Sequence, residues 1–120
     1  MSRNRTVTMT ILGEPASKAN SRKIVKFGNR PAIIKSQKAR DYEKMFAEQC
    51  PQLDDIFTED VSVKITIYYK SRRPDLDESV ILDCMQDRIY KNDRQVKEKH
   101  IFWGLDKENP RSIIEIRQLQ

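Results

Sequence analysis

Val61-Ser62-Val63-Lys64-Ile65-Thr66-Ile67-Tyr68-Tyr69 is the longest clean alternation in the chain. Val61, Val63, Ile65 and Ile67 recur at every second residue, the period of a strand with one buried face. The strand delivers the chain to Lys70-Ser71-Arg72-Arg73-Pro74-Asp75-Leu76-Asp77. In extended chain Asp75 and Asp77 project to the same side, because side chains alternate with period two. Two carboxylates on one side offer the oxygen ligands that a hard cation such as Mg²⁺ takes. Arg72 and Arg73 beside them fit a cation site only if its other partner is a phosphodiester, which brings its own negative charge. A rigid strand end is a good mount for ligands that need exact placement.

Downstream, Asp77 or Glu78 caps a helix expected over roughly 78–89. Val80, Ile81, Cys84 and Met85 form its apolar stripe, Ile89 extends it, and Asp83 and Asp87 share a face at i, i+4. Tyr90-Lys91-Asn92-Asp93 reads as a turn, Val96 to Trp103 as a strand, and Ser112 to Arg117 as the last strand, with Ile114 and Ile116 inward. Upstream, Thr6 to Ile11 alternates strictly, with Val7, Met9 and Ile11 on one side, and Gly13 and Pro15 end it. Residues 16–23 carry no large apolar side chain and read as an exposed basic loop. Ile24 to Phe27 and Arg30 to Ile34 read as two short strands around Gly28-Asn29, with Pro31 confining the second to an edge or a strand start. Ser36 caps a helix running to about Gln49, whose Tyr42, Met45, Phe46 and Gln49 follow the spacing of one helix face. Pro51 stops it. That stripe is core, not a platform for stacking bases.

The expected fold is an α/β single domain over residues 1–120, a mixed β-sheet of four to six strands with two main helices. No run of about 18 apolar residues exists, so no membrane span is expected. The basic N-terminus lacks the apolar core of a signal peptide. Cys50 and Cys84 form no metal or redox spacing and suit a reducing cytoplasm as free thiols. No phosphate-binding glycine loop and no Ser/His/Asp arrangement is present, and His100, a lone histidine, is assigned no role. The net charge of +5 is unevenly spread: residues 1–44 hold 11 Lys and Arg against 3 Asp and Glu, residues 45–120 hold 12 against 15. Cations to hold phosphate and carboxylates to hold metal are what a nuclease needs, although a solvated charged face has the same composition. Asp is also the ordinary residue of caps and turns, so the residues alone leave catalysis and structure both open.

Arg72-Arg73-Pro74-Asp75-Leu76-Asp77, followed by Asn92-Asp93-Arg94-Gln95-Val96, resembles the RusA family of Holliday junction resolvases, small dimeric nucleases with D-L-D-N-L-x-K, D-A-L and D-D-x-Q-V segments. Gly13 to Lys18 is similar to the family's loop after its first strand, and Ser36 to Tyr42 to the start of its first helix. The resemblance implies a homodimer that cleaves four-way DNA junctions by paired nicks, cytoplasmic and encoded by a bacterium or phage. It implies Asp75, Asp77 and Asp93 as catalytic Mg²⁺ ligands, with Asp83 a fourth candidate, as ligand or as acceptor behind the ligands. Asn92 replaces the first acid of D-D-x-Q-V. Lys18, Arg22 and Lys23 would grip phosphate from the loop, and Arg72, Arg73 and Lys91 would bind flanking phosphates. The family's lysine after D-L-D-N-L is missing: Ile81 or Ser79 stands there, depending on a two-residue gap, and Trp103 occupies a further lysine position on the strand after Gln95-Val96. Lys91, Lys97 or Lys99 would have to supply the charge, and Glu78 would be an added ligand. The alternatives are a non-catalytic or weakly active branched-DNA-binding protein of the same fold, and a nuclease for flaps or forks.

Overall fold

The computed structural model describes residues 5–16, 22–74 and 76–119, without the side chains of Arg22, Lys23 and Phe27. Six strands and two helices follow in the order β1 (Thr6–Leu12), β2 (Arg22–Phe27), β3 (Arg30–Lys35), α1 (Gln37–Gln49), β4 (Val61–Tyr69), α2 (Ser79–Met85), β5 (Val96–Leu105) and β6 (Arg111–Gln118), with a 3-10 turn at Asp93–Gln95. β1, β6, β4 and β5 form one mixed sheet in that order, and β2 and β3 form a separate two-stranded sheet. The fold is α/β, as expected. β4 lies inside the main sheet, antiparallel to β6 and parallel to β5. Parallel neighbours need a crossover, and the stretch 70–95, with α2 in it, provides one. The expected metal-ligating segments therefore all lie on this connection.

The alternation of β4 becomes burial. Val61, Val63, Ile65, Ile67 and Tyr69 have no exposed surface, and they pack with Ile11, Ile114 and Ile116 from strands β1 and β6 of the same sheet. Tyr42 and Phe46 of α1 and Val80, Ile81 and Met85 of α2 close this face. α1 begins where Ser36 was expected to cap it, the Ala39 N–H donating to Ser36 Oγ at 3.2 Å. Gln49, at its other end, uses its amide rather than apolar surface: Leu12 N–H donates to Oε1, and Nε2 donates to Leu12 O. Gly13 stands next, at φ 104°, where a Cβ would overlap the Met45 side chain. No helix among the described residues is long and apolar enough to cross a membrane. Cys50 and Cys84 are free thiols.

Two expectations need correction. α2 ends at Met85 rather than near Ile89: Gln86 is extended, Asp87 turns at φ 65°, and Asp87 N–H bonds Tyr90 O at 2.7 Å. Ile89 is buried all the same, but from the turn, so Asp83 and Asp87 share no helix face. Arg22 and Lys23 belong to strand β2, not to a loop. The start of α2 falls where expected, its cap divided between the two residues named for it. Glu78 holds the N-cap position without a side-chain bond, while the Asp77 carboxylate accepts from Ser79 N–H.

Candidate active site at the end of the central strand

The segment leaving β4 is fixed at three points. Lys70 N–H donates to Glu14 Oε2 at 2.7 Å, tying it to the turn after β1. Trp103 Nε1 donates to Pro74 O at 3.1 Å, while its ring stacks on Tyr69 at 5.9 Å between centroids. Asp77 N–H donates to the Tyr69 hydroxyl at 3.2 Å. Trp103 reaches this position because β5 runs parallel to β4 in the register Ile67↔Trp103. Asp75 lies outside the described residues, directly after the peptide that Trp103 holds. Arg72 and Arg73 are exposed on the same segment.

Asp77 is only 8% exposed. Its Oδ1 accepts from Ser79 Oγ at 2.7 Å and Ser79 N–H at 3.0 Å, whereas Oδ2 is buried without a partner among the described residues. A buried polar atom left unpaired costs about 1–3 kcal/mol, more when charged, and commonly marks a place for an ion or a ligand. Tyr69 shows what surrounds it. Burial raises the Tyr69 hydroxyl above its ordinary range; the bond from Asp77 N–H opposes this, and the carboxylates of Asp77, Glu14 and Glu78 raise it further. Three carboxylates therefore lie within electrostatic reach of one phenol. Sequence reasoning assigned Glu14 only to a family-like loop, and nothing local in the sequence could reveal its reach to Lys70. Glu78 Oε2 lies 3.7 Å from Lys99 Nζ, and Glu14 Oε1 lies 3.8 Å from Lys38 Nζ.

Asp93 is exposed in the 3-10 turn before β5, its N–H donating to Gln86 Oε1 at 3.3 Å. Gln95 holds this turn. Its Oε1 accepts from Lys91 and Asn92 N–H at 2.9 and 2.8 Å, and its Nε2 donates to Phe57 O and Glu59 O at 2.8 and 2.9 Å. Asn92, where the family pattern has an acid, accepts from Arg94 N–H and completes a reciprocal cap with Gln95. Asp93 thus precedes the start of β5, beside the segment leading into β4, while Asp77 lies beyond the end of β4. α2 connects the two. Asp83 is exposed on α2, within electrostatic reach of Lys35 and Tyr90.

Ile81, one of the two positions for the family lysine, is fully buried, and Ser79 binds Asp77. Lys91 and Lys97 are exposed; of the three lysines considered as replacements, Lys99 is the one that pairs with a member of the acidic group, Glu78, among the described residues. Lys18 lies outside the described residues, and Arg22 and Lys23 are placed only by their backbone at the start of β2. Among the described residues no three His, Cys, Asp or Glu gather closely enough to form a metal-binding group. The donor chemistry nonetheless fits a hard dication: carboxylate oxygens dominate, and Asp77 Oδ2 is buried and unpaired.

The model of the RusA endodeoxyribonuclease family matches residues 13–117. No curated protein matches the chain. The match runs from the turn after β1 into β6, including Glu14, the Asp75–Asp77 segment, the Asp93 turn and Trp103. By that match over most of its length, the chain belongs to the RusA family, whose chemistry is endonucleolytic cleavage of DNA.

Proposed function

We propose that this protein is a metal-dependent endonuclease that resolves four-way DNA junctions by paired nicks. The observation that carries the reading is the Asp77 carboxylate: buried, fixed through Oδ1 by Ser79, and unpaired at Oδ2, in a chain of a nuclease family. Asp75, Asp77 and Asp93 are the candidate Mg²⁺ ligands, with Asp83 a further candidate; Asp93 stands at the opposite end of β4 from Asp77, so the reading rests first on Asp77 and its neighbour Asp75. Bound there, Mg²⁺ would supply Lewis acidity toward the phosphodiester and lower the pKa of a coordinated water.

The protein's own residues act by placement. Ser79 and the Tyr69 hydroxyl fix the Asp77 carboxylate and backbone, so little reorganisation remains when substrate arrives. Trp103 fixes the peptide before Asp75. Gln95 fixes the turn that bears Asp93. Arg72 and Arg73, exposed on the segment between β4 and Asp77, would grip phosphates flanking the scissile one, as would Lys91 beside Asp93 and Lys18, Arg22 and Lys23 ahead of the β2–β3 turn. Lys99 would supply the cation that the family places after D-L-D-N-L, since it reaches Glu78, the neighbour of Asp77. A homodimer presents two such sites about a two-fold axis, which matches the approximate two-fold symmetry of a four-way junction.

The test is a panel of four-way junction, flap, fork and linear duplex, each end-labelled and incubated with protein and Mg²⁺. Symmetric nicks across the branch point of the junction, faster than any cut in the other three, are expected. Preferential cleavage of flap or fork would replace the substrate, and junction binding without cleavage in any divalent metal would leave a DNA-binding protein.

A further inference from the structure

We propose that the β2–β3 hairpin is a DNA-contacting arm whose exposed isoleucine pair packs against the interrupted base stack of a branched substrate. The inference rests on the reading of the protein as a junction nuclease and adds to it a surface that recognises the branch.

β2 and β3 pair with each other and with no other strand. They meet at Gly28-Asn29, where Gly28 has φ 66° and Asn29 has no positive φ, the requirement of a type II′ hairpin turn. Ile24 stands directly opposite Ile33, and the pair is 72% and 67% exposed. Val25, Ala32 and Ile34, on the other face, are partly covered. A two-stranded ribbon gains little stability in water from an apolar pair left in solvent, so its outer face has a use elsewhere. The base of the hairpin is anchored: Lys35 Nζ bonds Glu43 Oε2 of α1 at 2.7 Å and lies within electrostatic reach of Asp83. The arm therefore rises beside α1 and near Asp83 of α2.

Its charge selects the occupant. Residues 22–35 contain five Lys and Arg and no Asp or Glu. Lys26 and Arg30 are exposed near the turn and form no ion pair among the described residues. Against a second copy of the same surface, a two-fold contact would set like charges together. Against DNA, the same charges meet phosphates, and a two-stranded ribbon fits the major groove. Apolar side chains commonly pack where base stacking is broken. A four-way junction offers such a break at its centre, and an intact duplex does not.

Two double variants separate these contributions in the full-length protein, using fluorescence anisotropy with a labelled four-way junction and a duplex of equal length, in Ca²⁺. Ile24→Thr/Ile33→Thr keeps β-branched residues and removes apolar surface. It is expected to weaken junction binding at least fivefold and leave duplex binding within twofold. Lys26→Gln/Arg30→Gln is expected to weaken both and to make the slope of log K against log salt shallower by about 2, from roughly 0.9 per phosphate contact. Circular dichroism and size-exclusion light scattering accompany each variant. Wild-type affinity for both DNAs in the isoleucine variant would overturn the proposal, with junction cleavage by wild type leaving the nuclease reading in place. Loss of a dimer in that variant would give the surface to a second copy and overturn it too. Wild-type protein that neither binds nor cuts junctions would end both readings.

Discussion

Gln95 makes four hydrogen bonds through one amide, to two N–H groups of its own turn and to the carbonyls of Phe57 and Glu59. Gln95→Met keeps the length of the side chain and deletes all four. Each protein hydrogen bond contributes about 0.5–1.5 kcal/mol net. Three of these four are exposed enough for water to replace them, and the bond to Phe57 O is partly buried. Taking about 0.5–1 kcal/mol for each, the expected loss is roughly 2–4 kcal/mol. For a chain of this length that is on the order of 8–15 °C in Tm. Gln95→Glu keeps the two accepted bonds but lays negative charge against both carbonyl oxygens, so it is expected to lose at least as much. Because Asp93 rides on this turn, single-turnover cleavage of a four-way junction is expected to fall at least tenfold at a temperature where the variant is still folded. Urea unfolding gives the stability and a quenched time course gives the rate. A stability loss under about 0.5 kcal/mol, below one ordinary hydrogen bond, would refute the clamp.

Trp103→Phe keeps a smaller ring against Tyr69 and deletes the N–H that holds Pro74 O; stability is expected to fall by at least about 1 kcal/mol, with cleavage reduced more than the folded fraction, measured by thermal melts beside single-turnover rates. Lys99→Met is expected to slow cleavage at least tenfold while Lys91→Met changes it less than threefold, because only Lys99 is paired with the carboxylate next to Asp77; equal rates for both variants and wild type would leave the replacement cation elsewhere. Burial pushes the Cys50 thiol up to about 11, a shift that nearby Arg88 opposes. Burial also takes the Cys84 thiol up to about 12, with the Glu43 and Asp83 carboxylates adding to the rise. An unfolded thiol ionises near 9.0, so the unfolded chain loses these protons first. This contribution to stability is whole below pH 9 and is lost as pH rises from about 9 through the folded values. Urea midpoints at pH 8 and pH 10 check the sign, and Cys50→Ala/Cys84→Ala should flatten part of the dependence.

The elements with strong periodicity were legible. Period two gave β1, β4 and β6 within a residue at either end, and the Ser36 cap gave the start of α1. Which strands pair was not legible, because alternation marks a buried face without naming its neighbour. Ile24 and Ile33 look like core residues in sequence and are exposed on a separate sheet. The early end of α2 escaped notice because Ile89 continues the apolar stripe and Asp87 turns the chain without glycine or proline. Asp77 was legible as a candidate from its spacing to Asp75 after a strand. The supports of the site were not. Glu14, Tyr69, Gln95 and Trp103 act across long sequence separations, and a polar or aromatic residue carries no local sign of its distant partner.

Asp77→Asn tests the metal-site reading most directly, because asparagine retains an oxygen that can accept from Ser79 while removing the negative charge from the buried carboxylate. Cleavage of a four-way junction is measured under single turnover in Mg²⁺, with anisotropy in Ca²⁺ on the same preparation and a thermal melt to confirm folding; Asp75→Asn and Asp93→Asn run in parallel. Losing a negative charge weakens the hold on a cation and relieves repulsion of phosphate. Cleavage is therefore expected to fall by at least a thousandfold in each variant, with junction affinity equal to wild type or tighter. A well-folded Asp77→Asn protein that cleaves the junction at the wild-type rate would contradict the assignment of this carboxylate to the metal site.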